Sequence, residues 1–156
     1  MLFRSQDEER FDEALPYYYD AQEIGPDNPD PLNNIGNILL AQGKTEDAVT
    51  HFEKALAIKP DLAEAHYNLG VALLDLNRLP DALHHLYIAR ELEPDRAETH
   101  NNIGNALARM GRRHQALAHY REAIKLDPDL AEARRNMDVV IRQIRAAANA
   151  FGRQSP

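Results

Sequence analysis

Residues 63–96 read AEAHYNLGVALLDLNRLPDALHHLYIARELEPDR, and their frame returns on both sides at a step of 34. Pro94 has counterparts at Pro26, Pro60 and Pro128, Ala82 at Ala14, Ala48 and Ala116, and Ala89 at Ala21, Ala55 and Ala123. Gly70 recurs as Gly36 and Gly104, and Leu69 before it as Ile35 and Ile103. Many columns in register at one fixed period are the mark of stacked supersecondary units that bury their apolar faces only against one another.

Within the stretch two helical patterns meet at a breaker, Asn77-Arg78, matched by Gly43-Lys44 and Gly111-Arg112. The first pattern, Ala63 to Leu76, sets Leu69, Ala72, Leu73 and Leu76 at helical spacing, and the second does the same with Ala82, Leu86 and Ala89. Small residues at Gly70, Ala82 and Ala89 allow close approach of antiparallel helices, while Leu69, Leu73 and Leu86 fill the space around them. A proline followed by Asp then ends each unit, because a ring without an N–H cannot continue the helix.

These columns resemble the tetratricopeptide repeat family, whose pattern places an aromatic, Leu-Gly, Tyr, Ala, Phe and Pro at fixed offsets. The second repeat supplies Leu32, Ile35-Gly36, Leu39, Ala48, Phe52, Ala55 and Pro60. The third has His66, Leu69-Gly70, Leu73, Ala82, Leu86, Ala89 and Pro94, and the fourth His100, Ile103-Gly104, Leu107, Ala116, Tyr120, Ala123 and Pro128. The aromatic column departs from the pattern, being Leu32, His66 and His100. The resemblance implies an all-α solenoid, a right-handed superhelix of helix-turn-helix repeats with about seven to eight helices. One array over residues 1–150 is expected: a partial first repeat over 1–28, full repeats at 29–62, 63–96 and 97–130, and a polar capping helix at 131–150. Residues 151–156 are expected to be disordered.

Composition narrows function. The chain has 156 residues, no cysteine and a net charge of −7, so thiolate chemistry and Cys-ligated zinc are excluded and general nucleic-acid binding is disfavoured. No apolar run approaches a membrane span, and Met1 to Asp12 is rich in charge where a signal peptide needs an apolar core, so a cytoplasmic chain is expected. Residues 1–62 carry 5 Lys/Arg against 13 Asp/Glu, whereas residues 131–156 carry 5 against 2. That gradient makes weak head-to-tail self-association an alternative. His51, His85 and His119 share one repeat column, and His66 and His100 another, as recurrent packing positions do. No metal, cofactor or catalytic motif is read, so a non-enzyme is expected.

The informative column is polar: Asn34, Asn68, Asn102 and Asn136. Asn is a poor helix-interior residue, so its recurrence has a cause. Either each amide bonds a neighbouring repeat or backbone, or the column is a ladder of donor-plus-acceptor groups that grips the main chain of an extended peptide. The resemblance implies the second use, since arrays like that of O-linked N-acetylglucosamine transferase line their concave face with such a ladder. On this reading Asn33, Asn37, Tyr67, Asn101, Asn105, Arg109, Arg135 and Arg142 face the same groove. The acidic column Asp30, Glu64, Glu98 and Glu132 fits a rim of that groove or the first helical turn equally. The family's carboxylate clamp is not matched, because Asn37 and Asn68 fit its asparagines but Asn33, Glu98 and Asn102 stand where it needs cations. The expected function is a scaffold that binds a protein or peptide, with the substrate-presenting region of a larger glycosyltransferase or methyltransferase as the alternative.

Overall fold

The computed structural model describes residues 6–152, with side chains from Arg10 to Ala150. Its regular structure is all helical: α1 (Gln6–Ile24), α2 (Asp30–Ala41), α3 (Thr45–Ile58) and α4 (Ala63–Asp75), then α5 (Leu79–Leu92), α6 (Ala97–Arg109), α7 (Arg113–Leu126) and α8 (Ala131–Gly152). The helices fall into two compact units, Met1–Arg78 with α1 to α4 and Leu79–Pro156 with α5 to α8. The division cuts the third repeat between its two helices. The two units therefore correspond at a step of two repeats.

The three breakers are built alike. Gly43, Asn77 and Gly111 have φ of 74°, 59° and 77°, the left-handed conformation that turns a chain out of a helix. The amides that follow reach back across the turn, Lys44 N to Leu39 O at 2.9 Å, Arg78 N to Leu73 O at 2.8 Å and Arg112 N to Leu107 O at 2.8 Å. Carbonyls orphaned at the helix end are thereby satisfied.

The proline turns add side-chain donors to their backbone hydrogen bonds. Gln22 Nε2 donates to Pro26 O at 3.0 Å, and His66 Nε2 to Pro60 O at 2.9 Å. Arg134 Nη2 donates to Pro128 O, and His100 hydrogen-bonds the Pro94 backbone. At His66 and His100 the departure from the family's aromatic column thus has a cause: like Arg134 they carry an N–H donor to the carbonyl six residues earlier, whereas Leu32 has none and Gln22 serves Pro26.

Each unit packs an inner seam. In the first, Ile35, Leu39, Ala48, Phe52, Ala55 and Leu69 are buried, and in the second Ile103, Leu107, Ala116, Tyr120, Ala123 and Val140. Gly36 lies against Phe52 and Gly104 against Tyr120 so closely that a Cβ on either glycine would fall 2.5 Å from the ring. The absence of a side chain at these positions is what lets α2 meet α3 and α6 meet α7. Pro16 is accommodated inside α1. At the other end α8 continues through Phe151 and Gly152, two residues beyond 150. Residues 153–156 lie outside those described.

Candidate functional site

In the second unit the asparagines form a connected network. Asn136 Nδ2 on α8 lies 2.9 Å from Asn105 Oδ1, 3.1 Å from Asn101 Oδ1 and 3.4 Å from Glu132 Oε1. An amide nitrogen carries two hydrogens, so the two nearer oxygens take them. Glu132 receives its own donor, Asn101 Nδ2 at 3.1 Å. Asn105 Oδ1 also accepts from Tyr120 Oη at 2.9 Å, and Asn105 Nδ2 lies 3.4 Å from Asn102 Oδ1. Burial pushes the Tyr120 hydroxyl up to about 12, and the Glu132 charge adds to this, so it stays a donor. Tyr120→Phe is expected to cost the second unit about 1 kcal/mol, the net worth of one partly buried hydrogen bond, read as a lower urea midpoint with unchanged slope.

Two repeats earlier the same positions are Asn33, Asn37, Phe52, Glu64 and Asn68. Asn68 Nδ2 donates to Asn33 Oδ1 at 3.2 Å, the counterpart of Asn136 to Asn101. The rest of the network does not form. Phe52 has no hydroxyl for Asn37, and among the described residues neither Asn34 nor Asn37 has a side-chain hydrogen-bond partner. Both are half-buried.

These two amides line a cleft of about 630 Å³ between α1 and α2. Phe11, Tyr17 and Tyr18 of α1 and Ile38 of α2 make its apolar walls, with Arg10 and Glu13 beside them. Tyr17 is 75 % exposed, unusual for a large aromatic side chain not covered by its own chain. Amide donors and acceptors beside aromatic faces suit a peptide: the amides match main chain and the rings take side chains.

The histidine columns are used structurally. His51 Nδ1 meets the Asp47 carbonyl at 2.9 Å. His100 Nδ1 lies 3.3 Å from His119 Nδ1, with ring centroids 5.4 Å apart. Because the Pro94 carbonyl only accepts, the other His100 nitrogen carries the hydrogen, and Nδ1 of neutral His100 accepts from His119. Burial lowers both pKa values, that of His119 to about 4 with help from His100 and Arg90, while Glu122 partly offsets the effect at His100. Among the described residues no group of three or more His, Asp or Glu is placed to hold a metal ion.

The expected ladder is therefore divided. Asn33 and Asn101 are buried, 4 % and 3 % exposed, and their amides pair across helices. Asn68 and Asn136 are the donors of those pairs. Asn102 and Asn105 belong to the network on α6, and Tyr67 is half-buried on α4. Arg109, Arg135 and Arg142 are exposed. Asn34 and Asn37 line the α1–α2 cleft. The α1 aromatics were missed, although the run Tyr17-Tyr18-Tyr19 was a visible signal.

Comparisons with known proteins agree on the repeat. Residues 6–50 and 97–130 match models described as tetratricopeptide repeat, and residues 36–77 one described as TPR repeat, together more than half of the chain. No curated protein sequence matches. Among solved structures, MamA from Desulfovibrio magneticus RS-1 is 22% identical with a TM-score of 0.80, covering 96% of this chain and 93% of that one. YrrB, a TPR protein with an unusual peptide-binding site, is 27% identical with a TM-score of 0.75, covering 88% of this chain and 71% of that one. The first TPR of Spaghetti bound to an HSP90 peptide is 20% identical with a TM-score of 0.73, covering 75% and 93%. Among the described residues no helix is long and apolar enough to cross a membrane.

Proposed function

The chain belongs to the tetratricopeptide repeat family, and from that premise we propose that it is a non-catalytic scaffold that binds an extended segment of another protein in the α1–α2 cleft. The observation that carries this reading is the contrast between corresponding amides. Asn105 is held by Tyr120 and Asn136, whereas Asn37, opposite Phe52, keeps its hydrogen-bonding capacity for a ligand beside Asn34. A main chain that pairs with these amides exchanges their hydrogen bonds to water for hydrogen bonds to peptide, a net gain of about 0.5 to 1.5 kcal/mol each. Peptide binding in YrrB and in Spaghetti supports the same use of the fold.

Two variants test it, with fluorescence anisotropy of labelled nonapeptides as the readout. Asn34→Ala with Asn37→Ala removes both grips and is expected to weaken every bound peptide by about fivefold to a hundredfold at unchanged melting temperature, from about 0.5 to 1.5 kcal/mol per hydrogen bond. Phe52→Tyr deletes nothing but places a hydroxyl where Tyr120 has one. It is expected to tie up Asn37 and weaken binding by about threefold. Full binding by both variants would remove the amides from the site.

A further inference from the structure

We propose that the α1–α2 cleft selects segments bearing arginine, an assignment that rests on the reading of Asn34 and Asn37 as main-chain grips. The charge of the two helices points there. In α1 Arg10 is the single base among seven acids, Asp7, Glu8, Glu9, Asp12, Glu13, Asp20 and Glu23, and α2 adds Asp30 and no base. A cleft between helices of one sign concentrates ligands of the other and repels acidic segments.

The walls then favour arginine over lysine. Tyr17 presents an exposed ring, and Tyr18 lines the same space. A guanidinium stacks on such a face, is less strongly hydrated than an ammonium, and still has N–H groups in its plane for a carboxylate. Glu13 lines the cleft one helical turn from Tyr17 and is exposed, so one guanidinium would meet both. Arg10 is the opposing feature. It stands one turn from Glu13 on the other side and disfavours an incoming cation, so its removal tightens binding if the occupant is basic and loosens it if the occupant is acidic.

The test uses the full chain and three labelled nonapeptides in which every second residue is Ala and the others are all Arg, all Ser or all Glu. Arg-peptide binding is expected to exceed Ser-peptide binding by about tenfold at low salt, with Glu-peptide weakest and the difference shrinking as salt rises. Glu13→Gln and Tyr17→Ala should each weaken the Arg-peptide about threefold more than they weaken the Ser-peptide, while Arg10→Gln should strengthen the Arg-peptide. Equal binding of the Arg- and Ser-peptides would overturn the selectivity and leave the main-chain grip standing. A preference for the Glu-peptide, lost in Arg10→Gln, would reverse the sign of the ligand. Binding of no peptide would overturn both. Light scattering gives the remaining outcome: a dimer that the Arg-peptide dissociates would identify the occupant as the basic C-terminal part of a second copy and overturn the assignment to a separate partner.

Discussion

Gly104→Val is expected to destabilise the second unit by about 3 kcal/mol or more, and Gly104→Ala by about 1–2 kcal/mol. A Cβ at this position would lie 2.5 Å from Tyr120 Cε1, 2.8 Å from Cδ1 and 2.9 Å from Cζ, all well inside van der Waals contact. The ring is 2 % exposed, and its hydroxyl is bonded to Asn105 Oδ1. Retreat of the ring would break the bond to Asn105. Against this, replacing a mid-helix glycine by alanine gains about 1 kcal/mol in propensity, which is why the alanine variant loses less than the overpacking alone would cost. Gly36→Ala makes the same contact with Phe52, at 2.5 Å, but that ring has no hydroxyl tether and gives way at lower cost. Urea denaturation should therefore rank Gly104→Ala as more damaging than Gly36→Ala. The opposite order would mean that the tether to Asn105 does not hold the ring.

The contrast with Gly43 separates two uses of one residue. Gly43 has φ of 74° and no atom within 4 Å of a would-be Cβ, so alanine there costs only the strain of a left-handed residue, about 1 kcal/mol. The repeat columns distinguish these glycines by position alone, one mid-helix and one at a breaker. Helix count, breaker positions and the close-packed seam were all legible in this way, because each depends on the kind of residue recurring at a fixed offset. The hydrogen bonds were not. The same 34-residue comparison that exposes the Asn column hides the alternation at twice that step, in which Phe52 answers Tyr120 and decides whether Asn37 or Asn105 is occupied. A column also says nothing of what its members bond. His66, His100 and Arg134 look unrelated until the Pro60, Pro94 and Pro128 carbonyls are seen to need donors. The cleft was illegible for a different reason. It forms where α1 packs beside α2, and Tyr17 reads as a surface residue until that packing places Asn34 and Asn37 beside it.

The second large effect is loss of stability in mild acid. His119 is held at about 4 chiefly by burial, and His100 is lowered for the same reason, so both rings are neutral in the folded unit at neutral pH. In the unfolded chain they titrate near 6.5. A depressed histidine pKa means that the unfolded state binds more protons at intermediate pH, so stability is fully present above about pH 6.5 and falls as pH drops towards about 4. Linkage for His119 alone amounts to about 2 kcal/mol at pH 5, and screening of a half-exposed ring reduces this to about 1 kcal/mol. Geometry gives the same direction, because protonating both rings would set N–H against N–H across the 3.3 Å contact. Nearby, Arg90 stacks on Tyr87 at 4.8 Å and adds a fixed positive charge, while Glu122 opposes it. The second unit should therefore melt about 4 °C lower or more at pH 5 than at pH 7. His119→Gln keeps an N–H donor for His100 but cannot titrate, so it should flatten that dependence. Amide exchange in α6 and α7 would locate the loss. Equal exchange at the two pH values, with the His119 ring resonances titrating near 6.5, would show that the pair is solvated and carries no linkage.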